Sequence, residues 1–160
     1  MRNDWCEMAS LDEIDCALLA VLQERGDAPN LELARAVGLS PAATSRRVQR
    51  LRAEGVIEAI RAVVLPEQVG LGVEAYVLVT LAEHAADADV RFAREVAAMP
   101  YVLRADSIAG ADDALLHVAV PTPADLQRLL VALKRAGASR AMTMLRLQSI
   151  KPAAPVPARP

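Results

Sequence analysis

The chain has 160 residues, of which 54% are hydrophobic, with one Trp, two Tyr and one Phe, and its formal net charge at pH 7 is −2. That length suits one ordinary domain or two small ones, with a core built from Ala, Val, Leu and Ile. The balance excludes a uniformly basic nucleic-acid binder, so any site for a polyanion must come from local charge placement. Residues 1–29 hold two positive and seven negative groups, residues 30–61 hold six and three, and residues 62–160 hold ten of each. The single positive block therefore lies between 30 and 61. No apolar run resembles a signal peptide, and none approaches the ~20 residues needed to span a bilayer, which points to a cytoplasmic protein with no membrane partner.

In chain order, residues 1–10 read as a flexible leader. Leu11 to Glu24 carries Leu11, Ile14, Asp15, Leu18, Leu19 and Leu22 at helical spacing, with Asp12 and Glu13 at the positive end of the helix dipole. Leu33, Ala34 and Val37 predict a second short helix, ended by Gly38 in a left-handed conformation. Ser40 is an N-cap and Pro41 a first-turn residue for a third helix, closed by Gly55. Thr44, Val48 and Leu51 share one face and point into a small core. Ala42, Ser45, Arg46, Gln49 and Arg50 face outward, and Arg47 lies along the flank, towards the backbone or towards an acid such as Glu54. Small polar and guanidinium groups on the outer face of a capped helix suit the major groove of double-stranded DNA. The candidate DNA-contacting residues are Ser40, Ala42, Ser45, Arg46, Arg47, Gln49 and Arg50, with Arg46 and Arg50 foremost. Val56–Ile57 and Ala59–Leu65 read as β and add a wing.

Pro66 and the glycines at 70 and 72 mark a linker over residues 66–73. The second half then alternates: strand Val73–Leu81, helix Ala88–Met99, strands Tyr101–Ile108 and Ala114–Val120, a helix opened by Pro121-Thr122-Pro123, and strand Ser139–Leu147. The order βαββαβ is ferredoxin-like. The fold class is thus α+β, with a winged helix-turn-helix domain at 11–65, a ferredoxin-like domain at 74–151, and a proline-rich disordered tail at 152–160. Both faces of the strand Ala114–Val120 are apolar apart from His117, so a second subunit is expected to cover one of them. Asp112 and Asp113, in the turn before that strand, are residue types that suit tight turns. No further cysteine or paired histidine accompanies Cys6 and Cys16, so neither a disulfide nor a metal site is expected of them, and neither His84 nor His117 has neighbours in sequence suited to a metal. No catalytic constellation, metal site or cofactor motif is present in the sequence.

The segments LDEIDCALLAVLQ (residues 11–23) and NLELARAVGLSPAATSRRVQRLRAEGVI (residues 30–57), with the glycine-aspartate turn at Gly110–Asp113, resemble the leucine-responsive regulatory protein and asparagine-regulator (Lrp/AsnC) transcription factors. The resemblance runs from about Leu11 to Lys151, and it is carried by residues in the helix-turn-helix and by layout further on. It implies a ferredoxin-like domain that binds an amino acid or related small metabolite. It also implies dimers formed through the sheets and assembled further, commonly into octamers. An effector would then sit between subunits at Gly110, Ala111, Asp112 and Asp113. Gly110 and Asp113 match the family's turn, whereas Ala111 and Asp112 replace an aspartate and an aromatic residue. Gly26-Asp27 stands where the family has glycine-arginine. Two other readings of the same architecture are a sirohaem-type tetrapyrrole decarboxylase and a broadly binding nucleoid-architectural protein.

Overall fold

The computed structural model describes residues 11–82 and 86–160. The leader, Cys6 and His84 lie outside the described residues. The chain forms two compact units, one running to Val63 and including Lys151–Pro160, the other spanning Val64–Ile150.

The first unit is trihelical. Helix α1 covers Glu13–Glu24 and starts two residues later than expected because Asp12 is its cap. The Asp12 carboxylate accepts the Asp15 N–H at 2.8 Å, and the Asp15 carboxylate accepts the Asp12 N–H at 3.2 Å. This reciprocal box satisfies two helix-end donors. Helix α2 covers Asn30–Val37 and ends at Gly38, whose φ of 67° is a conformation that costs L-residues with a Cβ. Helix α3 covers Pro41–Ala53, with the Ser40 hydroxyl accepting the Ala43 N–H at 3.2 Å. Leu18, Leu33, Thr44 and Leu51 are buried together with Ala34. Inside that apolar setting the Thr44 hydroxyl donates to the Ser40 carbonyl at 3.1 Å, so the buried polar group is satisfied. Replacing Ser40 with Ala removes the cap acceptor and is expected to cost about 1 kcal/mol. Chemical denaturation of the variant beside the unaltered chain measures it.

The expected wing does not form. No strand occurs between α3 and Val73, although the residues there are rich in β-branched types. A strand needs a neighbour for its backbone groups, and none of the described residues pairs with 56–65 as a strand. Val56 and Ile57 instead fold back, with the Ile57 N–H donating to the Leu51 carbonyl at 3.1 Å, and Val63 is left 95% exposed. The proline-rich tail has no helix or strand, but it is tied to α1. Gln23 accepts from the Val156 N–H at 2.6 Å and donates to the Val156 carbonyl at 3.0 Å.

The second unit opens with a 3-10 turn at Pro66–Val69 that ends at Gly70. Strand β1 (Val73–Leu81), helix α4 (Ala86–Ala97), strands β2 (Val102–Ser107) and β3 (Ala114–Val120), helix α5 (Pro123–Arg135) and strand β4 (Ala138–Leu145) follow. The sheet order is β2-β3-β1-β4 with every neighbouring pair antiparallel, the ferredoxin-like arrangement. Helix α5 is capped by Thr122, with Pro123 in its first turn. Val77, Val79, Leu116, Val118 and Val120 from the sheet pack with Phe92, Val96 and Leu133 from the helices. The opposite face leaves Tyr76, Met142 and Met144 exposed. There His117 stacks on Tyr76, its Nε2 lies 2.6 Å from Glu74, and Glu74 also accepts from Arg146 at 2.5 Å.

Candidate nucleic-acid interface and effector turn

Helix α3 separates its residues by face. Thr44 and Leu51 are fully buried and Val48 is half-buried, while Ala42, Arg46 and Gln49 are exposed and Ser45 is partly so. Ser40, at the cap, stands at the positive dipole end of α3, which attracts phosphate, although Pro41 has no N–H and Ser40 itself accepts the Ala43 and Thr44 N–H groups. Arg46 and Arg52 reach solvent without an ion pair among the described residues.

Arg47 and Arg50 are placed differently. The Arg47 guanidinium donates to Asp12 at 2.6 Å and to Asp15 at 2.9 Å, and Arg50 donates to Asp15 at 2.5 Å. Glu54, the acid considered for Arg47, instead lies 3.9 Å from Arg50. The Asp15 side chain is only 1% exposed. The sequence reading gives Asp12 a role at the helix dipole and places Asp15 in the helical pattern of α1 with no partner, whereas the fold pairs it with two arginines. The available signal was its position inside the apolar stripe of α1, where a carboxylate needs a cation.

These contacts shift the titration of their members. The Asp15 N–H, and then the Arg47 guanidinium, hold Asp12 below the usual carboxylate range. Arg47 is pushed up mainly by Asp12, and Arg50 mainly by Asp15. Because the folded pKa of Asp12 is depressed, its stabilisation is present above the unfolded value near about 4 and is lost as pH falls through the lower folded one. The Asp12→Asn variant is therefore expected to lose less thermal stability between pH 5 and pH 3 than the unaltered chain. Melting curves across that range test it.

The turn between β2 and β3 is held by both of its aspartates. Asp112 accepts from the Thr80 hydroxyl at 2.8 Å and from Arg140 at 2.7 Å, so the hydroxyl first and the guanidinium second lower its pKa. Asp113 accepts the Leu81 N–H at 2.7 Å, beside the irregularity in the β1–β4 pairing at Thr80 and Leu81. Ala111 is exposed. Gly110 is different again. Its φ lies outside the left-handed region, and an added Cβ would meet nothing within 4 Å. Nothing within the described chain requires a glycine there. Beside the turn, a cleft of about 470 Å³ runs between α4 and β2, lined by Leu81, Phe92, Val96, Leu103, Ile108 and Asp113 among others. Among the described residues no group of His, Cys, Asp and Glu is arranged to hold a metal ion, and no helix is long and apolar enough to cross a membrane.

Comparison with known proteins agrees with both units. Residues 11–52 match the AsnC-type helix-turn-helix domain, and residues 74–156 match the Lrp/AsnC ligand binding domain. The chain is 36% identical over 121 residues to the HTH-type transcriptional regulator AldR of Mycolicibacterium smegmatis, covering 76% of this chain and 71% of that protein. It is 34% identical over 149 residues to the leucine-responsive regulatory protein of Rhizobium meliloti, covering 91% and 95%. Among solved structures, a transcriptional regulator from Neisseria meningitidis in complex with L-methionine superposes with a TM-score of 0.84 at 32% identity, covering 92% of this chain and 97% of that one. These relatives are transcriptional regulators, not enzymes, which sets aside the decarboxylase reading. With a capped helix-turn-helix ahead of a βαββαβ domain, and with both parts matched along most of its length, this chain belongs to the Lrp/AsnC family of transcriptional regulators.

Proposed function

We propose that the protein is a sequence-specific regulator that inserts α3 into the major groove and reads bases through Ala42, Ser45, Arg46 and Gln49, with Ser40 and the helix N-terminus on phosphate. The observation that carries this reading is the division of α3 into a packed face and an outward face bearing Arg46, whose guanidinium has no ion pair among the described residues. Dimers of the ferredoxin-like unit would present two such helices to half-sites about 10 bp, or a multiple of it, apart. Its place of work is then the cytoplasm, with the DNA.

A small-molecule effector, an amino acid or a related metabolite, is proposed to bind between subunits at the Gly110–Asp113 turn. Two features favour this placement. Gly110 leaves open space that no internal contact uses, and the α4–β2 cleft adjoins the turn. The L-methionine in the Neisseria relative favours the same class of ligand. Asp112 and Asp113 already serve Arg140, Thr80 and the Leu81 amide, so ligand contact here falls to the exposed backbone at Gly110 and Ala111. The effector must bind one assembly more tightly than another, because equal affinity would shift nothing. Light-scattering mass, measured alone and with each of the twenty amino acids, tests this. The expected result is a multiple of the 17.1 kDa chain, such as a dimer or octamer, whose size changes with one amino acid. A mass indifferent to all twenty would contradict amino-acid control of assembly.

A further inference from the structure

The four arginines of α3 do not face the same way. Successive residues turn by about 100° around a helix, which carries Arg47 and Arg50 from the outward side towards α1. There Asp15 receives one bond from each, at 2.9 Å from Arg47 and 2.5 Å from Arg50. Asp12 receives a second bond from Arg47 at 2.6 Å. Asp15 is buried, whereas Arg47 and Arg50 are 28% and 41% exposed. Pulling either guanidinium onto a phosphate would leave a buried carboxylate with half its cationic partners, and desolvation makes that unfavourable. DNA, by contrast, offers a phosphate that solvent cations already neutralise in part.

From this cluster we propose that Asp15 is a positioning residue that withholds Arg47 and Arg50 from DNA and uses them to fix the angle of α3 on α1. The inference rests on the DNA-reading role of α3 proposed above. It sharpens that role: two of the four arginines on the reading helix orient it, and they neutralise no phosphate. Asp12 supports the same arrangement through Arg47. The bonds close a loop between the start of α1 and the middle of α3, so the outward face keeps its direction when DNA approaches. The cluster also keeps the charge of the reading surface low. A regulator that must leave random DNA for its operator gains by this, because non-specific affinity comes almost entirely from phosphate contacts.

The test is the salt dependence of binding of the full chain to a random-sequence duplex. Each phosphate contact contributes about 0.9 to the slope of log K against log salt for each α3 on the DNA. Arg47→Gln and Arg50→Gln should lower affinity through misorientation while leaving the slope unchanged. Asp15→Asn should release Arg50 while Asp12 still holds Arg47, steepen the slope by about 0.9, and tighten non-specific binding at low salt. A slope that falls by about 0.9 in either arginine variant would overturn the proposal while leaving DNA reading intact, as would an Asp15→Asn protein with the original slope. Should Asp15→Asn not fold, the two arginine variants decide the matter alone. An unaltered chain with no salt-dependent affinity for DNA would remove the reading role and the proposal together.

Discussion

Arg46→Ala should lower affinity for a specific operator by roughly 5- to 150-fold while leaving the fold unchanged, equivalent to the ~1–3 kcal/mol of a bidentate arginine–guanine pair. The size of this effect follows from where the side chain stands. Arg46 is exposed, has no ion pair among the described residues, and lies between Ala42 and Gln49 on the outward face of α3. No hydrogen bond or ion pair among the described residues is lost when it is truncated, so circular dichroism and the melting curve should be unaltered. Affinity for a selected duplex in a competition titration at fixed salt is the quantity to follow. Equal operator affinity in the variant and the parent would mean that the outward guanidinium does not read the groove.

Leu51→Ala should have the larger effect on stability. Leu51 is fully buried on the inner face of the same helix, in a unit whose other buried apolar side chains include Leu18 and Leu33. Truncation removes apolar burial and leaves a cavity, at a cost of about 2–5 kcal/mol. A trihelical unit this small has little stability in reserve, since whole domains retain only ~5–15 kcal/mol and small ones less. The helix-turn-helix is therefore expected to unfold, or nearly so, near room temperature. The ferredoxin-like unit has its own core around Val77, Leu116, Val118 and Leu133 and should keep its transition. Calorimetry should show the first transition lost and the second retained, with DNA binding abolished. A variant that still binds its operator with parental affinity would show that α3 does not depend on this packing.

The elements that local chemistry determines were legible in the chain. Ser40-Pro41 and Gly38 mark the ends of helices through a side-chain acceptor, a missing N–H and a left-handed residue, and each effect acts within a few residues. The βαββαβ order was readable for the same reason, with Thr122-Pro123 opening α5 and the buried stripe Leu126, Leu129, Leu133 following it. What escaped the reading depends on partners distant in sequence. Ala59–Leu65 has β-type residues, yet the described residues supply no neighbouring strand, so the predicted wing is coil. Asp15 meets Arg47 and Arg50 more than thirty residues away, and only the folded packing of α1 against α3 brings them together. The same holds for Asp112 with Arg140 and for Gln23 with Val156. Propensity carries no information about these pairings, although a carboxylate in an apolar stripe marks where one must exist.

The most direct measurement is the ratio of specific to non-specific affinity at fixed salt. The duplex would be selected by the unaltered protein from fragments of genomic DNA and compared with a random sequence of equal length. A helix that reads bases through Arg46, Gln49 and Ser45 gives a preference of about a thousandfold or more, reduced by Arg46→Ala. A ratio near one, with a steep dependence on salt, would mean that the protein binds DNA as an architectural component and would contradict sequence-specific reading by α3.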